Sequence, residues 1–269
     1  MDSLLAVNGQ ALRVRVEGPS GAPWLVFSNS LMTDLSLWDE QVAAFGAGHR
    51  ILLYDTRGHG GSSVPDEACG FPDLVADLAG VMRQVGAADA TVCGVSMGGV
   101  TALGLAARFP ELVARVAVCD CQPAATAAGA AAWDERIALA RQGGMVALVE
   151  PTASRWLRPG TVAANGAVMA AVRRMVGATP LEGFVCTARA LQNYDFRPEL
   201  ADLAARHCPA AFVVGADDAA LPPAVRAMAE ACPGATLKTV PDCGHLPNLE
   251  RPEAFNDALR TLLATPIRS

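Results

Sequence analysis

The sequence predicts an α/β protein: a mostly parallel sheet of eight strands with helices on both faces and a helical cap inserted after the sixth strand. Three observations predict it. Continuous apolar runs rich in Val, Ile and Leu recur with helical patterns between them, as strands covered on both faces require. The N-terminal stretch SLLAVNGQALRVRVE instead alternates on either side of Asn8-Gly9, the turn pair of a β-hairpin. About ninety residues then separate Cys119 from Ala210 without a convincing strand.

In chain order, the hairpin supplies two antiparallel strands at one edge of the sheet. PWLVF (23–27), RILLYD (50–55), TVCGV (91–95) and VARVAVC (113–119) follow as strands, and AAFVVG (210–215) and TLKTV (236–240) complete the set. Between the sixth and seventh strands, AAWDERIALARQGG, TVAANGAVMAAVRRMVG and PLEGFVCTARALQN keep helical spacing and are punctuated by Gly and Pro, so three or four short helices are expected. The expected division is a core of residues 1–121 and 197–269 around a cap of residues 122–196. A chain of 269 residues with 52% hydrophobic content has enough apolar surface for such a core.

The net charge of −6, from 21 basic and 27 acidic residues, argues against nucleic acid or an anionic membrane as a partner and for a small molecule. The N-terminus shows no basic stretch leading into an apolar one, and no apolar run approaches the roughly 20 residues that span a bilayer. A cytoplasmic protein is expected, as a monomer or small homo-oligomer. The eight cysteines are scattered, mostly in apolar surroundings, which favours reduced, buried thiols. No His/Cys cluster of zinc-type spacing accompanies Cys119 and Cys121, so neither metal nor cofactor is expected.

TVCGVSMGGVTALGLAARF carries Gly94-Val95-Ser96-Met97-Gly98, the G-x-S-x-G pattern of a nucleophile elbow. Alone the pattern is only moderately specific; its place directly after an apolar strand and at the head of an Ala/Leu helix raises it. Strain in such a turn pushes the hydroxyl out of the sheet, and the two glycines let strand and helix approach. A glycine-rich packing turn explains the glycines but not the serine between them.

A serine hydroxyl needs a base, and four histidines are available. His245 stands just past the last strand, at the edge where Ser96 emerges. His59 lies in the turn-rich loop DTRGHGGSS, a structural setting, and His49 and His207 precede strands and belong at the opposite edge. The base needs an acid to orient it. AAFVVGADDAALPP offers Asp217 and Asp218 after the seventh strand; Asp218 is preferred, with Asp217 turned away or capping the next helix. A developing oxyanion needs two N–H donors. Met97 supplies one, and Leu31 the other, from the loop SNSLMTD that leaves the third strand through the small polar pair Asn29 and Ser30.

The chain order Ser96, Asp218, His245 is that of the α/β hydrolases, and the core resembles the α/β-hydrolase fold nearly end to end. More narrowly, LVFSNSLMTDLSLWDEQ, YDTRGHGGSS, GVSMGGVTALGLAARFPELVARV and DCGHLPNLERPEAF resemble the 3-oxoadipate enol-lactonases. Those enzymes open an enol-lactone ring in bacterial aromatic catabolism, the β-ketoadipate pathway, without metal or cofactor. The resemblance implies Ser96, Asp218 and His245 as catalytic triad, with Leu31 and Met97 as oxyanion donors. AAWDERIALARQGG and SRWL resemble the family's cap, which makes Trp133, Arg136 and Trp156 candidate substrate contacts. Met32 joins them: it stands where the family usually has glycine, and its bulky side chain either narrows the acyl site or fills a gap.

A dicarboxylate substrate needs cationic partners, and the cap holds Arg136, Arg155, Arg173, Arg174 and Arg189, of which one or two are expected to face the pocket. The expected function is a serine hydrolase that opens a lactone, or cleaves a small carboxylic ester, through an acyl-enzyme. The alternatives are a general carboxylesterase, a cofactor-free perhydrolase with the same triad, and a ligand-sensing protein that retains it.

Overall fold

Strands β1 (Asp2–Val7), β2 (Gln10–Glu17), β3 (Trp24–Ser28), β4 (Arg50–Tyr54), β5 (Ala90–Val95), β6 (Val113–Cys119), β7 (Ala210–Gly215) and β8 (Thr236–Val240) build one sheet. Its order in the computed structural model, which describes residues 2–219 and 221–267, is β1-β2-β4-β3-β5-β6-β7-β8. β1 pairs antiparallel with β2 and β2 with β4; every other neighbouring pair is parallel. The hairpin turns at Asn8 (φ 48°) and Gly9 (φ 77°), both left-handed as a two-residue type I′ turn demands. β5 and β7 are buried along their whole length, whereas the edge strands β1 and β8 are mostly exposed. The third strand starts one residue later than expected, because Pro23 has no N–H for the ladder; its carbonyl accepts from Arg50 N–H at 2.9 Å.

Helices α1 (Asp39–Phe45), α2 (Phe71–Val85) and α3 (Met97–Arg108) come from the first half of the chain. α2 turns Leu74, Val75, Leu78, Val81 and Met82 inward and stops at Gly86, whose φ of 74° suits a left-handed cap. α3 is buried from Met97 to Ala107 and packs on both β5 and β6.

The inserted segment resolves into five helices where three or four were expected: α4 (Ala127–Gly143), α5 (Val146–Trp156), α6 (Pro159–Ala164), α7 (Ala167–Ala178) and α8 (Leu181–Gln192). TVAANGAVMAAVRRMVG breaks into α6 and α7 because Asn165 adopts a left-handed φ of 49°. α5 continues through Pro151, normally a breaker, since its face of Leu148, Thr152, Ala153 and Trp156 is buried against the cap. At the neck of the insertion an isolated antiparallel bridge joins Ala124 to Asp195, and Phe196 N–H reaches Pro123 O at 2.7 Å. The chain then closes with α9 (Arg197–Ala205), α10 (Leu221–Ala231), α11 (Pro247–Glu250) and α12 (Pro252–Leu263).

α8 docks on the loop after β4 without room for a side chain: a Cβ on Gly183 would lie 1.9 Å from Gly58 O. One turn further, Cys186 is disulfide-bonded to Cys69, with Cα atoms 5.7 Å apart. The expectation of reduced thiols therefore fails for this pair and holds for Cys93, Cys119, Cys121, Cys208, Cys232 and Cys243. Residues 117 positions apart carry no sequence signal of such a pairing. No helix among the described residues is long and apolar enough to cross a membrane.

Candidate active site

Ser96, Asp218 and His245 follow β5, β7 and β8 at one edge of the sheet, because β5, β6, β7 and β8 are adjacent and parallel and so end on the same side. Ser96 sits between β5 and α3 with φ 56° and ψ −118°, a strained backbone for a residue with a side chain. The flanking glycines are required by contact: a Cβ on Gly94 would lie 1.9 Å from Gly98 O, and one on Gly98 would lie 2.1 Å from Ser28 O. The second distance also shows how closely the elbow approaches the loop leaving β3.

His245 follows β8 and directs Nδ1 at Asp218 Oδ2, 2.7 Å away, leaving Nε2 as the free ring nitrogen. Asp218 is 7% exposed. Asp217, the acid set aside, points elsewhere and pairs with Arg158 at 2.6 Å. Ser96 is half-buried, and among the described residues no hydrogen bond joins its hydroxyl to the imidazole. In unliganded active sites this contact is commonly long and tightens with substrate. The other histidines stay apart: His59 is fully buried with Nδ1 near Arg57 O at 3.0 Å, and burial pulls its pKa down to about 4.

The loop after β3 is braced by its own side chains. Asn29 Nδ2 donates to Tyr54 O at 2.7 Å, and Trp38 Nε1 donates to Asn29 Oδ1 at 2.9 Å. Asn29 is thus a bracket that aims the backbone, more than a small residue at a turn. Among the described residues, neither Leu31 N–H nor Met97 N–H donates to a backbone acceptor, so both are open to an oxyanion. Met32 adopts a left-handed φ of 57°, where a glycine is at ease, and its side chain is 0% exposed in the hydrophobic core.

The cap arginines divide. Arg173 pairs with Glu150 at 2.6 Å, Arg174 with Asp34 at 3.0 Å and Arg189 with Asp134 at 2.6 Å. Among the described residues Arg136 and Arg155 have no carboxylate partner; Arg136 lies over the Trp133 ring, 4.4 Å from its centroid. Burial lowers the Arg136 pKa. The Arg155 side chain reaches solvent yet is crowded by protein: lost hydration pulls its pKa down to about 10, the Arg136 charge adds to that, and Asp218 opposes it. Trp156 is 3% exposed and stacks on His245 with centroids 5.9 Å apart.

A model of the α/β hydrolase family matches residues 18–258. The 3-oxoadipate enol-lactonase 2 of Acinetobacter baylyi is 32% identical over 260 residues, covering 96% of this chain and 95% of that one. The crystal structure of the enol-lactonase from Burkholderia xenovorans LB400 superposes with a TM-score of 0.91 at 36% identity, over 98% and 100% of the two chains. A thermophilic esterase from Thermogutta terrifontis follows at a TM-score of 0.88 and 25% identity, over 98% of each chain. The chain belongs to the α/β hydrolase family. It is a hydrolase acting on ester bonds.

Two acids of this α/β hydrolase escaped the sequence reading. Glu250 ties the histidine loop to the cap, accepting from Gly244 N–H at 2.7 Å and from Arg158 N–H at 3.0 Å, with Thr161 Oγ1 as a third donor. No periodicity marks it. Asp120 stands directly after β6, and its signal was available: an acid at the end of a strand lying between those that lead to Ser96 and Asp218.

Proposed function

We propose that this hydrolase opens a small lactone carrying a carboxylate, with 3-oxoadipate enol-lactone as the type of substrate, through an acyl-enzyme. His245 Nε2 takes the Ser96 proton as Oγ attacks the ring carbonyl. The N–H groups of Leu31 and Met97 hold the oxyanion, and Asp218 stabilises the imidazolium. Collapse breaks the ring C–O bond, and the enol oxygen leaves with the proton from His245 and tautomerises to a ketone. His245 then takes a proton from water, which attacks the acyl carbonyl, and returns it to Ser96 as the acid departs. No cofactor enters these steps.

The observation that carries the choice of substrate is the pair of guanidiniums, Arg136 and Arg155, which have no carboxylate partner among the described residues and lie within electrostatic reach of each other, with Arg155 also within reach of Asp218. Two like charges in that position favour an anion between or beside them. Similarity to enol-lactonases supports the same class. The test is a panel of carboxylated enol lactones, saturated lactones and neutral aryl esters. The carboxylated enol lactones should show the highest kcat/KM, and higher values for neutral esters would replace this reading with a general carboxylesterase. Ser96→Ala with an intact fold should remove nearly all turnover.

A further inference from the structure

The mechanism above leaves one buried carboxyl unused. Asp120 has a left-handed φ of 46° and a side chain that is 0% exposed. Its Oδ1 accepts the Gly215 N–H at 2.8 Å, while Oδ2 is buried without a hydrogen-bond partner. Ligand-type atoms of Asp120, Asp218 and His245 all lie within 4.8 Å of one another. The other titratable groups that face Asp120 are the thiols of Cys119, Cys121 and Cys243. No arginine or lysine pairs with it among the described residues; the cation Arg155 acts on Asp218 instead.

Two carboxylates buried side by side do not both ionise, because mutual repulsion and lost hydration hold one proton between them. Asp218 keeps the charge, since it faces the imidazole at 2.7 Å and retains some exposure where Asp120 has none. We propose, on the hydrolase reading above, that Asp120 is a positioning residue: a neutral carboxylic acid whose Oδ2–H donates to the Asp218 carboxylate.

The orphaned oxygen then has its partner, and Asp218 is held by two donors, His245 Nδ1–H and Asp120 Oδ2–H. Burial pushes the Asp120 carboxyl well above the usual carboxylate range and the Asp218 charge adds to this, against the Gly215 N–H that favours the ion. A single negative charge behind His245 matters for catalysis. Two would draw a proton onto the resting imidazole and disarm it as a base. The Asp120 proton stays in place through the cycle, and no bond to it is made or broken.

The experiment compares the full-length wild type with Asp120→Asn and Asp120→Ala, by infrared spectroscopy at neutral pH in H2O and D2O and by kcat and KM against pH. Asparagine keeps both contacts, accepting from Gly215 and donating to Asp218. The wild type should show a carboxylic-acid carbonyl band, shifted by deuteration and absent from D120N. D120N should keep kcat within about 3-fold of wild type, whereas D120A should lose about 10- to 100-fold in kcat at unchanged KM, with the acidic limb of its profile moved to higher pH.

Absence of the acid band from the wild type, or wild-type kcat in D120A, overturns the proposal. Should D120A fail to fold, the band and its loss in D120N decide the matter. Failure of the hydrolase reading shows separately, as turnover that survives Ser96→Ala.

Discussion

Trp156, the last residue of α5, accepts the His245 backbone N–H on its carbonyl at 2.7 Å and stacks its indole on the imidazole at 25° between the planes. Through these two contacts the inserted helix α5 holds the proposed base in place. Trp156→Ala keeps the carbonyl but removes a packed indole, a change that costs about 3–5 kcal/mol in cores. The melting temperature should fall, and kcat should drop about 10-fold or more with KM little changed, while Trp156→Phe keeps most of the stacking. Steady-state kinetics with a thermal melt check this, and a wild-type kcat in the alanine variant would show that the imidazole needs no such support.

Arg136 and Arg155 are expected to bind the substrate carboxylate. Converting either to Gln removes one charge-assisted contact, so selectivity for carboxylated over neutral substrates should fall about 10-fold per variant, mainly through KM. Parallel kcat/KM measurements on a carboxylated lactone and a neutral ester decide it. An unchanged ratio in both variants leaves the anion site without support.

Met32 sets backbone strain against packing. Replacing it by Gly relieves a left-handed φ worth about 1–2 kcal/mol, but empties a buried volume worth about 2–5 kcal/mol and loosens the unfolded chain. Packing wins on these magnitudes, so Met32→Gly should be destabilised by about 1–4 kcal/mol in urea unfolding. A stabilised variant would mean that the side chain contributes little to the core.

His59 should make the fold sensitive to mild acid. Its pKa is pulled from 6.5 to about 4 by burial, so between those values the unfolded chain takes up a proton that the folded chain refuses. Stability is whole above pH 6.5 and declines as pH falls towards 4, by on the order of 3 kcal/mol in all. His59→Gln should flatten this part of the curve of urea midpoint against pH. Parallel curves for the two proteins would refute the assignment.

Much of the site's layout was legible before any coordinates, and particular residues show why. Gly94 and Gly98 announce the elbow because only glycine fits where strand and helix backbones nearly touch. Asp218 was separable from Asp217 by its place in the loop, and the structure turns one to His245 and the other to Arg158. Trp156, expected among substrate contacts, also stacks on the imidazole, a contact that no local pattern announces, and the Cys69–Cys186 pair had no local mark at all. α5 was not among the helical stretches read from the sequence, and it runs through Pro151 because burial of its face outweighs the local preference of one proline.

The sequence by itself determined the strand order along the chain, the hairpin at Asn8-Gly9, the elbow at Ser96 and the sheet edge at which the chemistry gathers. These follow from periodicity and from steric limits on one or a few neighbouring residues. Only the tertiary structure decided which arginines stay unpaired, that Asp120 lies beside Asp218, and that the cap supports His245 through Trp156. Such relationships depend on contacts between residues far apart in the chain, whose distances and dehydration exist only once the whole core has packed.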